Sequence, residues 1–355
     1  MPRWPTWMPI ASIVLLAVAI ALGVGPWLAL LCAAALIGAV FAAVHHAEVV
    51  AHRVGEPFGT LVLAVAITVI EVALIVSMML AGGPDAASLP RDTIFSAVMI
   101  ICTGVVGICI LVGGLHHHEQ SFHLEGANSA LAALIALAGL SLVLPTFTTS
   151  SAVGTYTASQ LAFVAISSLS LWGVFVFVQT IRHRDYFLPP VNAADEDVHA
   201  APPSNAQAWL SFGLLLVSLV AVVGLAKMLS PLLEAGIAAI GAPKAVIGIA
   251  IALLVLLPET VAAVRAAAAD RLQTSMNLAL GSALASIGLT IPAVGVAALL
   301  LDLPLVLGLA PKELVLLSLT FLISAITLGT GRTNVMQGAV HLVLFAAFLF
   351  LALVP

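Results

Sequence analysis

Residues 58–80 read FGTLVLAVAITVIEVALIVSMML, an apolar run whose only ionisable group is Glu71, near its middle. Crossing the roughly 30 Å hydrocarbon core of a bilayer takes about 20 helical residues, so this stretch is long enough to span a membrane. The run is continuous rather than alternating, which excludes the strand of a spanning β-barrel. A carboxyl group at that depth costs at least about 2.5–3.5 kcal/mol on insertion scales, so it must face an internal cavity or a partner.

Comparable runs fill the rest of the chain. Its 355 residues are 62% hydrophobic and 8% charged, with a mean hydropathy of +1.22. A soluble domain carries about 25% charged residues. Apolar segments at 9–24, 27–47, 58–80, 94–114, 127–144, 159–181, 208–230, 244–268, 274–300, 312–329 and 333–353 predict an all-α membrane protein of about 11 transmembrane helices. The first resembles a signal peptide, with Arg3 ahead of it, but runs on without a clear cleavage site and is read as a leading helix within residues 1–25. The net charge of −5 comes from sparse groups with no basic stripe, so nucleic acid is set aside and membrane lipid is the expected surrounding. Cys32, Cys102 and Cys109 lie in apolar segments at spacings that fit neither a zinc nor a redox motif.

The one long polar connection, residues 182–207, holds Arg182, Arg184, Asp185, Asp195, Glu196 and Asp197. It divides the chain into a first five-helix repeat, 26–181, and a second, 208–355. An odd number of spans per repeat makes equivalent helices run in opposite directions, as in inverted-repeat transporters. Gly55–Leu80 aligns without gaps with Pro243–Ala268, placing Glu71 opposite Glu259, and Arg91–Gly114 aligns with Leu272–Gly295. Counting lysine and arginine in alternate loops sets Arg3, Arg53, Arg182, Arg184, Arg265, Arg271 and Arg332 against Arg91, Lys227, Lys244 and Lys312. The expectation is a bacterial inner-membrane protein with its amino terminus and the polar linker in the cytoplasm.

Two buried glutamates at matching places in two repeats point to ion exchange. Burial penalises the charged form of a carboxylate and a neighbouring carboxylate penalises it further, until protons or a cation neutralise the pair. Cation and proton then compete for one site, and a site open to one side at a time turns that competition into antiport. The metal and proton ligands expected are Glu71 and Glu259. A hard ion such as Ca2+ takes 6–8 oxygens, so backbone carbonyls must contribute. Pro258 in Leu257-Pro258-Glu259 removes a donor and is expected to break the helix there, freeing carbonyls. In the ninth span, Ser275, Asn277, Ser282 and Ser286 alternate with small residues, a pattern that serves close helix packing as well as ligand binding. Asn277 is the stronger candidate, joined by Ser282, by Thr68 beside Glu71 and by Ser96, the position aligned with Asn277.

At these residues the chain resembles the calcium/cation antiporter superfamily, in its bacterial branch of calcium/proton exchangers that also includes sodium-potassium/proton antiporters. The resemblance rests on Gly55-Glu56-Pro57-Phe58-Gly59-Thr60 through Glu71, on Pro258-Glu259, and on Asn277 through Pro292. It implies ten core helices plus a leading helix, with Glu71 and Glu259 as cation and proton ligands. Many relatives carry asparagine in both repeats where this chain has Ser96, and the family's acidic segment between halves is represented only by Asp195-Glu196-Asp197.

Histidines 116–118 and 123 lie beside Glu119 and Glu125. The spacing His118-Glu119 to His123 is five residues where a helical zinc-protease motif needs four, so the default is a solvated loop, with a cluster that senses pH or attracts cations as the alternative. His45, His46, Glu48 and His52 line a proton access path or sit in the interface. No nucleophile–base pair or metal motif supports an enzyme, and no cofactor is expected. The function read from the sequence is secondary cation/proton antiport that extrudes the cation, with Ca2+ favoured because two carboxylates suit a double charge. Na+ or K+ exchange remains open, and a channel, which needs no proton coupling, is the third class. Replacing Asp195, Glu196 and Asp197 by their amides is expected to change exchange in vesicles by less than about twofold, as befits a solvated linker.

Overall fold

In the computed structural model, residues 4–55, 58–188, 203–239, 241 and 243–354 are described. Twelve helices follow in order: α1 (Trp4–Leu22), α2 (Pro26–Val54), α3 (Phe58–Gly82), α4 (Leu89–Met99), α5 (Val106–His117), α6 (Leu124–Ala138), α7 (Ala158–Phe177), α8 (Asn205–Ala239), α9 (Ala245–Ala268), α10 (Leu272–Leu300), α11 (Pro311–Leu328) and α12 (Val335–Leu353). A π-helical turn, Ile100–Val105, joins α4 and α5 into one span, and π turns at Gly139–Val143 and Val178–Arg182 extend α6 and α7. Among the described residues, eleven helical stretches are long and apolar enough to cross a membrane. The fold is that of an all-α, eleven-span membrane protein with a leading helix and two inverted five-helix repeats.

Helix ends follow local chemistry. Thr157 with Gln160 and Asn334 with Gln337 form capping boxes that satisfy the first free N–H groups of α7 and α12. Proline opens α2 and α11, where its missing N–H costs nothing, and Gly55 takes φ +79° to end α2. Several helices outrun the predicted spans: α2 continues to Val54 past His45, Glu48 and His52, and α8 covers 35 residues with Pro231 inside. Backbone hydrogen bonding continues where hydropathy falls, so an apolar count underestimates length. The acidic triplet Asp195–Asp197, and Glu56 and Pro57 of the first repeat motif, lie outside the described residues.

The two repeats interlock rather than lie side by side. α3 packs on α10 of the other repeat, and α9 packs on α4 and α5. Likewise α7 meets α10, α12 meets α5, and the two opening helices α2 and α8 pack along each other under the leading helix α1. Each contact has its counterpart with the halves exchanged, as a pseudo-two-fold axis requires. Leu22, Trp27, Phe163 and Leu300 point outward, while Thr93, Thr103, Ser275 and Thr290 are buried, the inside-out polarity of a protein solvated by lipid.

The α4–α9 crossing depends on Gly248. A Cβ there would fall 2.7 Å from the Asp92 carbonyl carbon and 2.8 Å from the Thr93 nitrogen, atoms that cannot move independently of their helix. Gly248→Ala is therefore expected to destabilise the fold by about 1–3 kcal/mol. Gly281→Ala, with open space around it, should be tolerated. Thermal unfolding of the two purified variants in detergent checks the difference.

Short polar contacts tie the loops at each face. On one face Gln120 and Ser121 pair antiparallel with Thr333 and Arg332, and Gln120 Nε2 donates to the Ala267 carbonyl and to Asp270 Oδ1 at 3.0 and 2.8 Å. On the other, Arg91 Nη1 donates to the Gly308 carbonyl at 3.1 Å, and Lys244 bridges to Asp85 at 2.8 Å between exposed side chains.

Candidate ion-exchange site

The interlocking of repeats brings the two glutamate helices against the polar helices of the opposite halves. Glu71 projects from the middle of α3 and is 2% exposed. Its Oε2 accepts two hydrogen bonds from α10, from Ser286 Oγ at 2.7 Å and from Thr290 Oγ1 at 2.9 Å. Hydroxyl oxygens keep lone pairs while they donate, so the same two groups can rotate to present oxygen to a cation.

Glu259 is placed differently. The residue as a whole is half-buried, but both carboxylate oxygens are buried, and among the described residues neither finds a partner beyond Glu259's own backbone N–H. Its helix packs against α2, which carries Glu48, and against α3, which carries Glu71. Glu48 sits towards the end of α2 and is exposed. Towards the other face, beyond Met78 and Gly82 of α3, a cavity of about 30 Å3 is lined by Asp85, Asp92, Glu234 and Lys244. That is room for about one water.

The remaining candidates scatter. Thr68 is buried on α3, one turn before Glu71. Ser96 is buried on α4 with its hydroxyl given to the Asp92 carbonyl at 2.5 Å. Ser282 is half-buried on α10, one turn before Ser286. Asn277 lies about 14 Å along α10 from Ser286, by the helical rise. Its amide donates to the Phe187 carbonyl at 2.5 Å, and its oxygen accepts from Gln273 at 2.9 Å. In this state Asn277 ties α10 to the turn after α7.

Pro258 corrects an expectation. No break occurs: α9 runs unbroken from Ala245 to Ala268 with the proline inside it. Proline in a helix removes one donor, so the Leu254 carbonyl loses its usual partner while neighbouring turns hold the helix, helped by Thr260 Oγ1 donating to the Leu256 carbonyl at 2.7 Å. The freed oxygen is one, not a whole turn.

Thr290 escaped the sequence reading, although a signal was present. Ser282, Ser286 and Thr290 recur every four residues, which places three hydroxyls on one face of α10. The histidines do not assemble a metal site: among the described residues no group of three or more His, Cys, Asp or Glu side chains could hold a metal. His117 instead bonds the Ala268 carbonyl at 3.0 Å and His116 the Val112 carbonyl at 2.8 Å.

Comparison with known proteins bears on the family and the fold. The model of the sodium/calcium exchanger protein family matches residues 24–181 and 210–354, on either side of the polar linker. The chain is 51% identical to y4hA of Sinorhizobium fredii (strain NBRC 101917 / NGR234) over 92% of its own length and 89% of that protein's. It is 37% identical to the sodium-potassium/proton antiporter ChaA of Escherichia coli (strain K12), covering 88% and 85% of the two chains. The solved structure of native YfkE superposes with a TM-score of 0.74 over 98% of this chain and 99% of that one, at 17% identity. With a family model matched along nearly its whole length, the chain belongs to the sodium/calcium exchanger family, and is a multi-pass membrane transporter rather than an enzyme.

Proposed function

We propose that the chain exchanges Ca2+ for protons across the bacterial inner membrane, extruding the cation from the cytoplasm by alternating access at Glu71 and Glu259. The observation that carries this reading is the burial of two carboxyl groups, Glu71 on α3 and Glu259 on α9, on helices of opposite repeats that pack against each other. Two such groups balance one divalent ion or two protons, and leaving both charged and empty in the protein interior is costly, so one cargo must replace the other. The arginine and lysine asymmetry between faces supports an amino terminus in the cytoplasm.

A second reading, Na+ or K+ against protons, is favoured by the uneven ligation. Among the described residues Glu71 has two hydroxyl partners and Glu259 has none, few oxygens for a divalent ion. The relative ChaA carries sodium-potassium/proton antiport in its name. Everted vesicles holding a respiration-driven proton gradient separate the two when Ca2+, Na+ and K+ are added singly. Gradient dissipation by Ca2+ supports the first reading, dissipation by Na+ or K+ alone supports the second, and no response to any of them contradicts antiport.

A further inference from the structure

We propose that His341, on the last helix, is a positioning residue for exchange: its imidazole holds the backbone carbonyl that the π turn of the fourth span sets free, and so fixes the register of α4 and α5 against α9. This rests on the antiport reading above and adds to it a residue that touches neither glutamate.

The π turn is the starting point. The Val106 N–H bonds to the Ile101 carbonyl, five residues back, rather than to the Cys102 carbonyl, its partner in an α-helix. Cys102 thereby loses its helical donor in a turn whose six residues, Ile100–Val105, are all buried. A buried carbonyl without a donor is costly. His341 Nδ1 lies 2.7 Å from that oxygen, and His341 Nε2 lies 3.1 Å from Thr327 Oγ1 on α11. A carbonyl only accepts, so Nδ1 carries the proton, and Nε2 of the neutral ring accepts from the threonine hydroxyl. Both ring nitrogens are satisfied in a wholly buried residue.

Glycines let the two helices approach this closely. A Cβ at Gly107 would lie 3.0 Å from the His341 Cβ, and one at Gly338 would lie 2.7 Å from the Leu111 nitrogen. The matching place in the other repeat is built differently. The alignment of Arg91–Gly114 with Leu272–Gly295 pairs Gly107 with Gly288, which meets Trp172 in the α7–α10 contact. There α10 is continuous α-helix and α7 carries no histidine. Turn and histidine occur together in one pair of helices and are both absent from the other, as befits a freed carbonyl and its donor.

What the turn controls follows from its neighbours. It packs against α9 and α10, and α4 and α5 on either side of it both pack against α9, the helix of Glu259. One inserted residue turns the helix that follows by about 100°, so relaxation of the turn into α-helix would swing one of these segments off α9. The tie needs only the Nδ1 proton, which the neutral and the charged ring both hold. Of the elements packed against α12, the turn carries Cys102, α5 carries Cys109 with His116 and His117 at its end, α11 carries Lys312 and Glu313 at its far end, and α9 carries Glu259 and Arg265. Both His341 nitrogens are occupied by the Cys102 carbonyl and the Thr327 hydroxyl instead, so the tie is expected to act independently of pH.

The test compares His341→Asn with His341→Leu in the purified full chain, by proton-coupled cation exchange in liposomes and by amide hydrogen exchange of the peptide that covers the turn. Asparagine offers an N–H where Nδ1 stands and does not titrate, whereas leucine fills the space without a donor. His341→Leu is expected to lower maximal exchange by about tenfold at an unchanged half-saturating cation concentration, and to speed amide exchange in the turn by about tenfold or more, the worth of a buried carbonyl left unbonded. His341→Asn should stay within about threefold of the wild type in both, with the same pH dependence of transport. If the leucine variant does not assemble, His341→Phe, a ring without nitrogens, takes its place with the same expectation. Wild-type exchange in the leucine or phenylalanine variant would overturn the proposal, and so would equal losses in the asparagine and leucine variants, which is what a packing role gives. A folded His341→Asn variant with an altered pH dependence would show that His341 itself carries protons, and would overturn the positioning role. Amide exchange alike in all chains would overturn the tie. A wild type that shows the expected amide pattern but exchanges none of Ca2+, Na+ and K+ would overturn the antiport reading instead.

Discussion

Glu71→Gln is expected to lower cation/proton exchange by at least about a hundredfold while leaving the protein folded in the membrane. Glutamine keeps the volume and the acceptor oxygen, so Ser286 and Thr290 can still donate across the α3–α10 contact that they now bridge at 2.7 and 2.9 Å. What it cannot do is carry a negative charge or release a proton. Both halves of the exchange cycle lose their ligand together, and the loss should fall on turnover at any cation concentration. Elution as a single species in detergent, with a thermal midpoint near the wild type, separates this from misfolding.

Glu259→Gln is expected to abolish exchange as completely, with a different accompaniment. Among the described residues both Glu259 oxygens are buried without a side-chain partner, so the amide that replaces one of them brings two N–H donors to a position where the carboxyl makes no such bond. Leaving such donors unsatisfied costs about 1–3 kcal/mol. The variant should therefore unfold at a lower temperature than Glu71→Gln while remaining assembled, and proton flux should vanish because no carboxyl group remains on α9. A variant that kept proton-coupled exchange would show that Glu259 only packs between helices.

Much of this architecture is legible in the sequence, for a physical reason. A bilayer forces each span to be long, apolar and internally hydrogen-bonded, so eleven hydropathy segments translate into eleven helical spans among the described residues, and a carboxylate inside one of them stands out against its surroundings. The repeat alignment pairs Glu71 with Glu259 but does not say which helix of the other half lies against each; the structure puts α3 on α10 and α9 on α4 and α5.

Side-chain destinations are much less legible. Asn277, the most polar residue of the ninth span, is turned to the Phe187 carbonyl, while Thr290, unremarkable in an apolar setting, reaches Glu71. Which of several polar groups on a helix meets a given carboxylate is fixed by rotation and height of that helix against a distant segment, and hydropathy carries no trace of either. Pro258 illustrates the same limit: a proline predicts one missing hydrogen bond, but whether the helix yields depends on the packing around it, and α9 does not yield. The π turn in the fourth span, Ile100–Val105, is also silent in the sequence.

The most direct measurement is made on purified protein in liposomes with an imposed pH gradient and a fluorescent pH probe inside. Wild-type liposomes should lose the gradient when the transported cation is added, and liposomes holding Glu71→Gln or Glu259→Gln should keep it. Cation-dependent proton flux through either glutamine variant would contradict the account, because exchange would then be running without one of the two carboxylates on which it is built.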